Sequence, residues 1–129
     1  MQDTELPQFD FCYCDECRRQ FATLEGRDPA ELTDAPSDAA WRRFRWNSVT
    51  RLVNELTEEA NGHGKPISAA VFPTPTIART LVRQDWDKWP LDRFFSMLYQ
   101  GFYLEDTAWI GRGVAELSLI HISEPTRPY

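Results

Sequence analysis

Hydrophobic positions recur most regularly between Trp41 and Ala60. Trp41, Phe44, Ser48, Leu52, Leu56 and Ala60 follow at steps of three and four, which predicts a helix with that stripe as its buried face. Arg42, Arg43, Glu55, Glu58 and Glu59 fall largely off the stripe, Asp38 is placed to cap the start, and Gly62 and Gly64 end it. A shorter helix is predicted from Asp15 to Leu24, stopped by Gly26, and Asp28-Pro29 reads as the N-cap and first residue of a single turn. Downstream the period changes. Ile67 to Phe72 is an apolar run too short for a helix, broken only by small Ser68, and reads as a strand covered on both faces. A helix from Thr76 to Trp89 should follow, stopped by Pro90, then a second strand from Leu91 to Gln100. A last helix begins with Glu105 and Asp106 in its first turn, where acids favour the helix dipole.

Helix, strand, helix, strand, helix with short connections predicts a parallel sheet with crossover helices. No G-x-G-x-x-G and no P-loop sequence stands between a strand and a helix, so the dinucleotide and mononucleotide folds lose their mark. The fold class expected is α/β, a partial (β/α)8 TIM barrel with an N-terminal cysteine-containing loop. A complete barrel takes typically ~250 residues, so a chain of 129 residues would supply about half of one.

Composition narrows the partners. Charged residues are 26% and hydrophobic ones 42%, in keeping with a globular chain. The net charge of −6 argues against a nucleic-acid partner, which needs a basic surface. No apolar run approaches the roughly 20 residues of a transmembrane helix. After Met1, "QDTELPQFD" has neither the charged nor the apolar region of a secretion signal, and three cysteines make no even disulfide framework. Compartment and oligomeric state are left open by these features. Aromatics at 13%, with five Trp and eight Phe, suit a large core or a cleft that stacks flat ligands.

Three stretches carry chemistry. Cys12, Cys14 and Cys17 form C-x-C-x-x-C, whose thiolates could bind Zn²⁺ with a fourth ligand from Asp10, Asp15 or a residue upstream; the alternative is thiols packed among Phe9, Phe11, Tyr13 and Phe21. "RQDWDKW" sets Gln84, Asp85, Trp86, Asp87 and Trp89 close together, the amide, carboxylate and indole groups that grip sugars, or equally a helix packing its tryptophans on the sheet. In a (β/α)8 barrel the site lies at the carboxyl ends of the strands, here Phe72-Pro73-Thr74 and Met97-Leu98-Tyr99-Gln100. Tyr99 and Gln100 would project into its mouth, while Asp92 would sit at the opposite end in a structural role. Glycoside hydrolysis commonly needs two carboxylates flanking the bond. No matching pair of strand-end acids is visible, and Asp10, Glu16 and Glu105 are expected in loops.

"PQFDFCYCDECRRQF", "WRRFRWNSVTRLVNEL", "ISAAVFPTP" and "VRQDWDKWPLDRFFSMLYQGFYLEDTAWI" together resemble a group of bacterial proteins predicted to be glycoside hydrolases, related to the family-10-like glycosidases. The similarity covers nearly all of Leu6 to Glu116. "C-x-x-C-R-x-x-F" from Cys14 to Phe21 is also similar to a loop of several barrel glycosidases. The resemblance implies a (β/α)8 barrel of which this chain is a later-middle part. It also implies that the strand holding the suspected catalytic acids, with a motif like "DGxHxDYxRY", lies upstream of Met1, which would then be an internal methionine or an artificial start. Relatives tend to read Pro-Met-x-Tyr-His where Ser96-Met97-Leu98-Tyr99-Gln100 stands here. Gln100 keeps hydrogen bonding and loses an acid–base group active near neutral pH.

"LSLIHISEPTR", from Leu117 to Arg127, resembles the translation of a transposase adapter used in preparing sequencing libraries. Residues 1–116 are therefore expected to be the glycosidase-like part and 117–129 a non-native tail. The expectation for function is a piece of a glycan-hydrolysing barrel, inactive in isolation, with a carbohydrate substrate contacted by Gln84, Asp85, Trp86, Tyr99 and Gln100. A non-catalytic carbohydrate-binding barrel is one alternative, and a zinc-dependent interaction module through Cys12, Cys14 and Cys17 is the other.

Overall fold

A computed structural model of the protein describes residues 13–120. Among them are four α-helices and two parallel strands: α1 (Asp15–Glu25), α2 (Ala39–Gly62), β1 (Ser68–Val71), α3 (Pro75–Leu81), β2 (Arg93–Ser96) and α4 (Thr107–Ile120), with 3₁₀ turns at Pro29–Glu31, Ala35–Ser37 and Trp86–Lys88. The helix–strand–helix–strand–helix order and the parallel pairing agree with the sequence expectation. Two strands do not make a barrel, and no barrel is closed among the described residues.

Local chemistry accounts for most boundaries. Gly26 stops α1 in the left-handed region at φ 68°, with its N–H on the Ala22 carbonyl. Asp28 accepts from the Ala30 N–H and Asp38 from the Ala40 and Trp41 N–H groups, so both act as N-caps. Gly64, at φ 65°, closes α2: its N–H reaches Asn61 and the next N–H, of Lys65, reaches Ala60.

The predicted helix from Thr76 to Trp89 is shorter than expected, ending at Leu81. Arg83 takes a left-handed conformation at φ 57°, and the Gln84 N–H turns back to the Ala78 carbonyl. Arg79 then gathers the carboxylates of Asp85 and Asp87, which holds the chain in a turn where periodicity alone continues a helix. The second strand is also shorter. Leu98 and Tyr99 donate to the carbonyls of Ser96 and Met97, two residues back, and this bends the chain out of the sheet.

The core has two parts. Phe21, Ala35, Ala40 and Trp41 pack where α1 meets the start of α2, and Trp41 is stacked between Tyr13 and Phe44. Val71, Ala78, Trp86 and Trp89 form the second, joined by Val49 and Val53 of α2, Ala69 and Phe94 of the strands, and Leu117 and Ile120 of α4. Helix α2 thus has two apolar faces. Its predicted stripe is buried at Trp41 only; Leu52 and Leu56 are more than half exposed, and the face turned to the second core is instead Val49, Val53 and Thr57.

The sheet is covered on one side. Ser68 pairs with Arg93 and Ala70 with Phe95, and all four are exposed; Ala69, Val71, Phe94 and Ser96 point the other way, toward the helices. The strand expected to be buried on both faces is therefore buried on one. At its amino end, the Asp92 carboxylate accepts from the Ile67 N–H at 2.8 Å, and the Asp92 N–H donates back to the Ile67 carbonyl. Asp92 tethers the strands there, as expected.

Candidate functional site at the carboxyl ends of the strands

Register brings the ends of β1 and β2 side by side. Val71 pairs with Ser96, and the Met97 N–H extends the ladder to the Val71 carbonyl at 3.0 Å. Beyond that point the Phe72 N–H and the Phe72 and Pro73 carbonyls are held by side chains. The Phe72 N–H donates to Gln84 Oε1 at 3.2 Å and its carbonyl accepts from Trp86 Nε1 at 3.1 Å. The Pro73 carbonyl accepts from the Ser96 hydroxyl, and Thr74 Oγ1 caps α3 through the Ile77 N–H. A strand end that has lost its ladder partner is thereby kept satisfied and fixed in direction.

The loop after β2 is equally tied. The Tyr99 carbonyl accepts from Phe102 and Tyr103, the Gln100 carbonyl accepts from Glu105, and Leu104 sits at φ 56°. Asp106 ends it by accepting from the Trp109 N–H at 2.8 Å. Helix α4 comes close beneath: a Cβ on Gly113 would lie 2.6 Å from Leu98 Cδ2, so the bare glycine lets the helix seat against the loop.

Aromatic rings line this end. Tyr103 meets Phe72 (centroids 6.5 Å apart), Phe102 (5.0 Å) and Trp109 (5.3 Å). Trp109 is buried, whereas Phe102 is 74% and Tyr99 63% exposed. Burial of the Tyr103 phenol raises its pKa, so it stays a neutral hydrogen-bonding group across the physiological range. Glu105 and Asp106 stand at the rim, each 3.7 Å from the Arg112 guanidinium. The result is an aromatic wall of rings set edge to face, with Tyr99 and Phe102 exposed and a polar edge.

Of the five residues expected to contact a sugar, this geometry separates two from three. Tyr99 is exposed at the loop and Gln100 is half-buried beside it. Gln84 holds the Phe72 N–H. Asp85 is buried, paired with Arg79 and with Lys88 at 3.1 Å. Trp86 is buried against Phe94, with its indole N–H on Phe72. Gln84 and Trp86 thus hold the main chain of Phe72, and Asp85 is engaged in ion pairs. Phe72 stands at a strand end that the sequence marks as part of the site, whereas Phe102, Tyr103 and Trp109 are not among the residues it singles out; their signal is the ring density of "GFYLEDTAW" directly after a strand.

The remaining expectations fall as follows. Glu16 lies in the first turn of α1 rather than in a loop. Hydrogen bonds from Arg19 and then Gln20 hold its carboxyl down at about 2, which keeps it ionised near neutral pH and unsuited to donating a proton. Asp10 and Cys12 lie outside the described residues. Cys14 is the exposed N-cap of α1, and Cys17 is half-buried one turn on. Among the described residues no three His, Cys, Asp or Glu side chains come together in a metal-holding group. No helix among them is long and apolar enough to cross a membrane. No family model, curated protein or solved structure matches the chain.

Proposed function

We propose that residues 13–116 are consecutive strand–helix units of a longer (β/α)8 glycosidase-like barrel, and that they supply an aromatic glycan-binding wall rather than the catalytic acids. One observation carries the reading: two parallel strands have all their covering helices on one face, leave Ser68, Ala70, Arg93 and Phe95 bare on the other, and end in exposed rings. In a barrel the bare face is the interior and the carboxyl ends are the mouth. Pyranose rings present apolar C–H patches that stack on faces like those of Tyr99 and Phe102, while Gln100 and the rim carboxylates can bond hydroxyls.

The test is oligosaccharide titration of the purified chain followed by NMR. Shifts confined to residues 99–109, weakened about tenfold (about 1.4 kcal/mol) by Phe102→Ala, are expected. Hydrolysis of aryl glycosides should be absent from this chain and present in a chain extended through the neighbouring strands. Hydrolysis by neither, with binding retained, would favour the non-catalytic carbohydrate-binding barrel. Loss of binding from the start would remove the glycan reading altogether.

A further inference from the structure

We infer that the groove between α1 and α2 is a binding site for a small organic dianion, a dicarboxylate with an apolar spacer. The inference is independent of the glycan reading, since none of its residues belongs to the aromatic wall at the strand ends.

Charge is segregated along α2. Between Ala39 and Asn54 the helix carries Arg42, Arg43, Arg45 and Arg51 and no acid, while Glu55, Glu58 and Glu59 all follow. The chain as a whole carries −6, so this half of one helix is a local reversal of sign. Two of these arginines are committed to rings: Arg42 lies over Trp46 at 5.4 Å and Arg45 over Trp41 at 5.6 Å. Arg43 and Arg51 are exposed, and neither holds an ion pair or a hydrogen bond through its side chain among the described residues. They differ in this from Arg18, Arg19, Arg27, Arg79 and Arg112, each of which faces a carboxylate.

The two uncommitted guanidinium groups border one cavity. Arg43, Asn47 and Arg51 follow at steps of four, which sets them along a single ridge of α2. Ala40 and Phe44 of α2 and Leu24 of α1 give the same cavity, of about 290 Å³, its apolar surface. Phe44 is stacked on Trp41 and meets Phe21 edge-on, so the first core fixes that surface in place. Such a volume stands at the low end for ligand cavities, ~300–1,000 Å³, which limits the occupant to a small molecule.

Geometry sets the number of charges. Arg43 and Arg51 are separated by about 12 Å along the helix axis at ~1.5 Å per residue. A carboxylate fills one guanidinium fork, so two forks on one ridge take two carboxylates, with the spacer against Phe44 and Leu24. Both guanidinium groups end long stems that can lean toward Asn47, which brings a spacer of one benzene ring within reach. Glu25, on the α1 side of the cavity, keeps negative charge to the α2 side. Glu55 stands one turn beyond Arg51 without pairing with it, and such a surface pair is worth only about 0.2–0.5 kcal/mol.

The test is terephthalate titrated into the whole chain and followed by amide NMR, with benzoate, succinate and the neutral dialcohol of the same ring as comparison ligands. Terephthalate should saturate, with shifts confined to residues 20–25 and 40–51. Arg43→Gln and Arg51→Gln should each weaken it about tenfold, the worth of a hydrogen bond to a charged group. Benzoate lacks the second carboxylate and succinate the ring, so each should bind about tenfold more weakly or worse, and the dialcohol should leave these amides unmoved. Both variants should unfold at the parent's urea midpoint, having no described partner to lose. Equal affinity for terephthalate and the dialcohol, unchanged affinity in a chain carrying both substitutions, or no saturable binding would each overturn the site. Shifts centred on residues 99–109 would also overturn it, by placing the ligand at the aromatic wall.

Discussion

Asp38 shows how much one carboxylate does here. It caps α2 through two N–H groups and also receives Arg27 at 3.0 Å, and the arginine, followed by the cap bond from Trp41, lowers its pKa. Because the folded state holds the ionised form, the stabilisation is complete above the ordinary carboxyl value of 3.8 and is lost as pH falls through the depressed folded value. Asp38→Ala should therefore cost about 1 kcal/mol at neutral pH. Asp38→Asn should keep most of the cap while removing this group's share of the acid dependence. Urea denaturation at neutral pH and again below 3.8 checks both statements. If the two variants shared one pH profile with the parent chain, Asp38 would not be the titrating group. Asp28, hydrogen-bonded by Arg18 and by the Ala30 N–H, shifts in the same direction.

Among the elements, the turn after α3 decides how the strand end is held. Arg79 is partly buried; burial would lower its pKa, but the hydrogen bonds it donates to Asp85 and Asp87 prevail and raise it, so it is a permanent cation. Its loss would leave the buried Asp85 with Lys88 as its one ion-pair partner among the described residues. Arg79→Met is expected to destabilise the chain by about 3 kcal/mol, the low end for breaking a buried pair, and to speed amide hydrogen exchange at Phe72. Unchanged protection at Phe72 would show that Gln84 and Trp86 hold the strand without the ion cluster. This turn also marks where sequence reading stopped working. Caps and glycines are local signals, so Gly26, Asp28, Asp38 and Gly64 could be read directly, and the parallel pair followed from alternation of elements. The ion pairs of Arg79 with Asp85 and Asp87 are tertiary facts with no glycine or proline to announce them. Likewise, the three-and-four spacing of α2 fitted two faces, and only packing distinguishes Val49 and Val53 from Leu52 and Leu56. At the candidate site the strand ends were legible as positions, but the roles of Asp85 and Trp86 were not, since a buried support and a ligand contact use the same residue types.

At the scale of the molecule, one bare sheet face sets what the chain needs. Phe95 is 58% exposed on that face, an uncomfortable place for a phenylalanine at the centre of a parallel pair. Phe95→Lys should change the stability of this chain by no more than about 0.5 kcal/mol, as for an ordinary surface position. In a chain lengthened by the strands that would complete a barrel, the same substitution should cost about 3–5 kcal/mol. Equal effects in both, measured by chemical denaturation, would mean that nothing covers this face.

The grip on Phe72 also bears on the order of assembly. Both of its main-chain groups are claimed by residues no more than 14 positions further along the chain. Short loops close cheaply and quickly. During synthesis this crossover can therefore be latched as soon as Trp86 has left the ribosome, before β2 has emerged to pair with, so the later strand is laid against a template already aligned.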